Sequence, residues 1–231
     1  TRIFHKMCSS LVTENYIVTL IVADNKGNNI VNGVRIIDAG KEKGRFKRFV
    51  FSQIKLMRFA IKEKPDIFHI HDPELLLLGL FLAIFIKRKV IFDSHEDFSS
   101  SILQKTYLPK QYRIIISTIY KLIERFSTSL LTGIITATPH IKNRFKHVKE
   151  CITINNYPII NELSNDSSLR KNSKEICYLG WISKERGILQ LIEAMNLSKE
   201  GANLNLCGGF NSTSLRNQAS KIKGWEKVNE Y

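Results

Sequence analysis

The sequence predicts an α/β protein built on parallel sheets, and three observations carry that expectation. First, residues 67–70 and 90–92 are apolar runs separated by an apolar helical stretch at 75–86, which Lys87-Arg88-Lys89 closes. Strand, helix, strand in that order is a βαβ unit with parallel strands. Second, both runs end in polar clusters, His71-Asp72 and Asp93-Ser94-His95-Glu96-Asp97. Ligands of an open parallel sheet bind beyond the carboxyl ends of its strands, so both clusters are expected at one cleft. Third, a stretch rich in Ser, Asn and charge at 162–174 interrupts the pattern, and a fresh strand opens at Glu175-Ile176-Cys177. The expected division is a first domain at 1–160, a linker at 161–173 and a partial second α/β domain at 174–231.

The elements follow in order. Ile3, Phe4, Met7, Leu11 and Val12 have helical spacing, and Ile17 to Val22 forms the β-branched run of a buried parallel strand. Residues 24–33 are polar with two glycines and read as a loop; 34–37 read as a short strand and 40–48 as a basic loop. Arg45, Lys47 and Arg48 there suit a solvated face first and a phosphate grip second. A helix is expected at 49–62, ending before Pro65 because a residue preceding proline disfavours the α region. A long helix at 112–131 and strands at 134–138 and 152–154 follow. Thr138-Pro139 is a helix start, with Thr as N-cap and Pro at the first helical position. Asp72 before Pro73-Glu74 has the same form. Beyond the linker come a helix from Gly187, a strand at 204–207 and one more helix. Residues from Lys174 onward hold roughly two βαβ units at ~30 residues each. The apolar Leu204 and Leu206 are accordingly expected to be poorly covered.

The bulk composition narrows the classes. Hydrophobic residues make up 43% of the 231 and charged residues 24%, ordinary for a globular protein. The net charge of +14 is not ordinary. Nucleic acid, an anionic membrane surface or phosphorylated small molecules would each explain it. No helix-turn-helix, zinc spacing or RNP-like motif is present, so a nucleic-acid partner is not expected. Cys8, Cys151, Cys177 and Cys207 form no CxxC pair and have no His at metal-ligand spacing. They read as structural thiols in a reducing, cytoplasmic setting. The longest apolar run falls short of the ~20 residues that cross a bilayer. Its basic end leaves a peripheral contact with anionic headgroups as the weaker alternative to a helix buried on the sheet.

In this order and spacing, several stretches resemble family 4 (group 1) glycosyltransferases of the GT-B type. They are His69-Ile70-His71-Asp72-Pro73-Glu74, Phe92-Asp93-Ser94-His95-Glu96, Ile134-Ile135-Thr136-Ala137-Thr138 and Ile154-Asn155-Asn156-Tyr157-Pro158. In the second domain they are Tyr178-Leu179-Gly180, Arg186-Gly187-Ile188, Leu191-Ile192-Glu193-Ala194 and Leu206-Cys207-Gly208-Gly209. The resemblance implies an α/β, GT-B-like architecture: a Rossmann-like parallel-sheet N-terminal domain on the acceptor side, plus a partial second Rossmann-like domain for a nucleotide sugar. It implies sugar transfer with retention and no metal or other cofactor. It also implies truncation at both ends, because the family's first strand with its glycine loop and the glutamate-bearing half of its second domain have no counterpart. Trp181 stands where the family often has Arg.

His95 directly follows a parallel strand, where the resemblance implies a histidine touching acceptor and sugar. The alternative is a histidine bonded to a nearby carbonyl. Glu96 and Asp97 could accept hydrogen bonds from sugar hydroxyls or assist deprotonation of an acceptor, or be solvent-facing charge. Capping alone would explain Asp72, while His71 is a candidate cleft residue, Thr138 a further acceptor-side residue, and His69 reads as core. Asp93 could brace His95. Arg186 and Gly187, with Lys184, match the family's basic turn. A departing nucleoside diphosphate develops negative charge, which a guanidinium and a helix N-terminus stabilise. Gly180, Gly208 and Gly209 would let backbone approach a nucleotide.

The function so implied is a retaining glycosyltransferase of surface-polysaccharide biosynthesis, its partners a nucleotide sugar and a saccharide or lipid-linked acceptor. It would be cytoplasmic, with a peripheral place on the inner membrane face as a further option. The alternatives are a non-catalytic truncated remnant, a sugar-nucleotide epimerase of similar fold and, least favoured, a basic nucleic-acid-binding protein.

Overall fold

The computed structural model describes residues 2–40, 44–105, 107–157, 174–198 and 201–231, and for 45–52 the backbone alone. The expected linker at 161–173 and the side chains of Arg45, Lys47 and Arg48 lie outside that description. The chain divides into two compact units, 1–159 and 160–231.

The first unit opens with α1, π-helical over Arg2–Cys8 and α-helical over Ser9–Thr13. Asn15, in the left-handed region at φ 65°, turns the chain toward β1 (Thr19–Val22). Next come β2 (Asn29–Val31) and β3 (Val34–Asp38), then α2 (Arg45–Glu63). β1 pairs β3 in parallel and β2 pairs β3 antiparallel. Polar composition with two glycines predicts a loop over 24–33, but residues 29–31 form β2. Its hairpin signal was Asn32-Gly33, whose φ values of 52° and 77° supply the positive angles a tight two-residue turn requires.

A second, four-stranded sheet carries β4 (Ile67–Ile70), β5 (Lys89–Ser94), β6 (Gly133–Thr136) and β7 (Cys151–Thr153) in sequential order, all parallel. One continuous sheet was expected over the first domain. Among the described strands no ladder joins β1 to β4, because β1 pairs only β3 and β4 pairs only β5. The crossovers are α3 (Leu76–Ile84), then α4 (Phe98–Leu103) with α5 (Lys110–Leu130), then the short α6 (Pro139–Lys142). Leu76, Leu82, Val90, Phe92, Ile134 and Phe145 form the centre of the core. Gly79 lets α3 approach the sheet: a Cβ there would lie 2.6 Å from the Ile70 side chain.

The second unit carries β8 (Glu175–Leu179), α7 (Ile188–Leu197), β9 (Asn203–Cys207), α8 (Thr213–Ala219) and β10 (Val228–Glu230). Its parallel sheet runs β8-β9-β10. β10 was missed in the sequence, being three residues with only Val228 apolar. This strand overturns the expectation for Leu204 and Leu206. Flanked by β8 and β10, central β9 buries both completely, in a core with Ile188 and Ile192 of α7 and Leu215 of α8.

Candidate functional site

Three successive parallel strands deliver the first site. β5 ends at Ser94 and presents His95, β6 leads into Ala137 and Thr138, and β7 leads into Asn155, Asn156 and Tyr157. With Arg2 from the start of α1, these residues line an open pocket of about 480 Å³. His95 and Glu96 are exposed. Lys6 pins the pocket's far wall, donating to Asn156 Oδ1 at 2.8 Å and to the Tyr157 carbonyl at 2.6 Å. Thr138 caps α6 as its spacing suggested, its Oγ1 accepting from Ile141 N–H at 3.3 Å.

Beneath the pocket lies a charged chain. The wholly buried Asp93 accepts from Arg2 (3.3 Å at Oδ1) and stands 3.2 Å from His71 Nδ1 at Oδ2. His71 stacks on His69 with ring centroids 4.4 Å apart. Burial alone would raise the Asp93 pKa, but the His71 hydrogen bond and the Arg2 charge outweigh it and hold the carboxyl below its ordinary value. Burial pushes the His69 imidazole down to about 4, with the His71 charge in the same direction. Its Nε2 is buried without a hydrogen-bond partner. Two expectations are corrected. Asp93 braces His71 rather than His95, because both project from the same face of adjacent strands. Asp72 precedes its 3₁₀ turn without any side-chain cap bond.

His69, His71 and Asp93 place ligand atoms within 4.8 Å of one another, which is geometry a metal ion could use. The Arg2 guanidinium already lies against both Asp93 oxygens, so a second cation there would meet a fixed positive charge.

Asp97 is committed elsewhere. It caps α4 by accepting from Ser100 N–H at 3.0 Å, accepts from the Ser99 and Ser100 hydroxyls, and pairs with Arg144 at 2.7 Å. Burial would raise its pKa, but the serine hydrogen bonds and the Arg144 charge hold it at about 2. Arg144 also pairs with the buried Glu124, tying α4 to α5.

The second site is built at the carboxyl ends of β8 and β9. Gly180 ends β8 with its N–H on the Cys207 carbonyl, and Ile182 N–H donates to the Gly209 carbonyl. Gly208 has no substitute: at φ 149°, a Cβ would lie 2.0 Å from the Gly180 carbonyl oxygen. The close approach that it permits is therefore to Gly180. Gly209 lies beside the exposed Trp181 ring. Lys184 and Arg186 occupy an exposed 3₁₀ turn, and Gly187, left-handed at φ 75°, hands that turn to α7. Arg186 Nη1 reaches within 3.7 Å of where a Gly180 Cβ would stand. The arrangement joins a guanidinium, two glycine turns and the N-terminus of a ten-residue helix.

Arg2 was missed because nothing local marks it; only the tertiary contact, 91 residues away in sequence, shows its role. Asn155 and Asn156 did carry a signal, since they directly follow a parallel strand.

Two α/β units with candidate sites at strand carboxyl ends belong to the GT-B-like, Rossmann-like class, and solved structures agree. Sucrose-phosphate synthase from Thermosynechococcus elongatus superposes with a TM-score of 0.68 at 15% identity, over 99% of this chain and 63% of that one. Anabaena Alr3699/HepE, in complex with UDP-glucose, gives 0.59 at 14% identity over 87% and 56%. TarM gives 0.51 at 14% identity over 91% and 40%. The chain thus spans less than two thirds of each of these proteins. No curated protein matches it in sequence. The family model for Glycosyltransferase Family 4 matches residues 1–155, and the chain belongs to that family.

Proposed function

We propose that the chain acts as a retaining glycosyltransferase, moving a sugar from a nucleotide-sugar donor to a saccharide or lipid-linked acceptor in surface-polysaccharide biosynthesis. The observation that carries this reading is the exposed His95 at the carboxyl edge of three parallel strands, in a pocket with Thr138 and the Asn155-Asn156 pair. The UDP-glucose in the HepE structure supports a nucleotide sugar as donor.

In the proposed reaction an acceptor hydroxyl oxygen bonds to the anomeric carbon on the face that the leaving group vacates. The old carbon–oxygen electron pair departs with the nucleoside diphosphate, and the acceptor proton passes to a departing phosphate oxygen. His95 positions the acceptor and the transferred sugar by hydrogen bonds. Arg186 and the N-terminal amides of α7, beside Gly180 and Gly187, stabilise the growing diphosphate charge. The cations are the protein's own, so the reaction as proposed uses no resident metal. The work is placed on the cytoplasmic side, where nucleotide sugars would be drawn from solution.

The test is transfer from a panel of labelled nucleotide sugars to saccharide acceptors, wild type against His95→Ala. The variant should transfer about 10²-fold more slowly with an unchanged melting temperature. Unchanged turnover would remove His95 from the site. Epimerised nucleotide sugar without transfer would favour the epimerase, and donor binding without turnover the non-catalytic remnant.

A further inference from the structure

α5 turns several polar side chains inward and much of its apolar surface outward. Its polar side chains Ser117, Glu124, Ser127 and Thr128 face inward and are buried. Its apolar side chains at 115, 116, 119, 122 and 126 are between 42% and 64% exposed. With Tyr112, the residues at 115, 119, 122 and 126 recur at alternating steps of three and four, which places them in one stripe along the helix. On the inward side Tyr120 packs on the core and edge-on against Phe98, with ring centroids 4.9 Å apart, and polar contacts do the rest. Ser117 donates to the Ser99 carbonyl at 3.0 Å, and Glu124 is engaged by Arg144 and by Tyr120 Oη at 3.0 Å.

Charge selects what covers the stripe. Lys110, Lys121 and Arg125 are exposed on the same helix, and its one acid, Glu124, is buried and paired. α3, which packs along α5, leaves Phe85 exposed just before Lys87-Arg88-Lys89. A second copy of the chain would bring the same cations against these. An anionic surface answers them.

We propose that the outward stripe of α5 docks on an anionic bilayer, its apolar side chains entering the headgroup boundary and its lysines and arginines meeting lipid phosphates. No helix among the described residues is long and apolar enough to cross a membrane, so the contact is peripheral. This rests on the glycosyltransferase reading only in that a lipid-linked acceptor would give the docking its purpose.

The test is flotation of the full chain with vesicles of phosphatidylcholine alone and of equal phosphatidylcholine and phosphatidylglycerol, without donor or acceptor, so that its result is independent of catalysis. The chain should float with the anionic vesicles only and be released by salt, which screens surface charge. Ile119→Asp with Leu122→Asp should weaken binding by about tenfold or more, since it removes apolar area and adds repulsion. Far-UV circular dichroism should match the wild type. Lys121→Ala with Arg125→Ala should weaken the anionic binding while leaving the apolar stripe intact. Absent or equal binding to the two vesicle types would overturn the proposal. So would a dimer in light scattering that Ile119→Asp and Leu122→Asp dissociate, which would assign the stripe to a second copy.

Discussion

Two helices of similar sequence character attach to the protein by opposite means. α7 buries Ile188, Leu189, Ile192 and Met195 and exposes Gln190, Glu193 and Asn196. α5 buries Ser117, Glu124, Ser127 and Thr128 and exposes isoleucines. Both are amphipathic at a helical period, but only α7 follows the rule that the apolar side faces in. α7 is therefore held by removing hydrocarbon from water, whereas α5 adds to the apolar contact of Tyr120 the Ser117 hydrogen bond and the Asp97–Arg144–Glu124 ion pairs. A helical period identifies a stripe without saying which side the core takes.

The same substitution on the two helices gives the largest contrast. Ile192→Ala, at a wholly buried position, should cost about 2–5 kcal/mol in urea denaturation. Ile119→Ala, at an exposed one, should stay within about 0.5 kcal/mol. Comparable costs at both sites would mean that the α5 stripe is covered in solution.

A smaller effect tests the polar attachment. Glu124→Gln keeps the shape but removes the charge facing Arg144, and should cost about 1.5–3 kcal/mol. Phe126→Ala on the outward stripe should cost less despite deleting a far larger side chain. If Phe126→Ala proves the more damaging, α5 is anchored by its apolar face after all.

The smallest effect is in pH. Asp97 titrates at about 2 when folded, below the ordinary aspartate value near 4. Its stabilisation is thus fully present above about pH 4 and is lost as pH falls through about 2. Burial holds the Glu124 pKa above its ordinary value, so its titration changes stability in the opposite direction to that of Asp97. Amide exchange in α4 and the first half of α5 should therefore quicken between about pH 4 and pH 2, and Asp97→Asn should flatten the change. Exchange in α7, which packs by apolar contact, should show no such step.

Much of the fold was legible. The runs at 67–70 and 90–94 pair in parallel as the βαβ order required, and Thr138-Pro139 starts α6 with its hydroxyl on Ile141 N–H. These are local signals, in which each residue's chemistry acts on neighbours a few positions away. What escaped was weakly marked or distant: β2 lies inside a polar stretch with glycines, and β10 has Val228 as its one apolar residue. Asp72 has capping chemistry and the right neighbours but makes no cap bond, because a favourable residue type permits a cap without requiring it.

The candidate sites divide in the same way. That His95 and Gly208 stand just beyond strands was written in the sequence, because strand ends are marked by where apolar runs stop. That Arg2 would reach Asp93, that Asp93 would hold His71 instead of His95, and that Asp97 would be spent on Ser99, Ser100 and Arg144 was decided by packing between distant segments. Sequence determined the period of α5. The tertiary structure chose its inward face, because the partly buried Arg144 and the buried Glu124 answer each other's charge there.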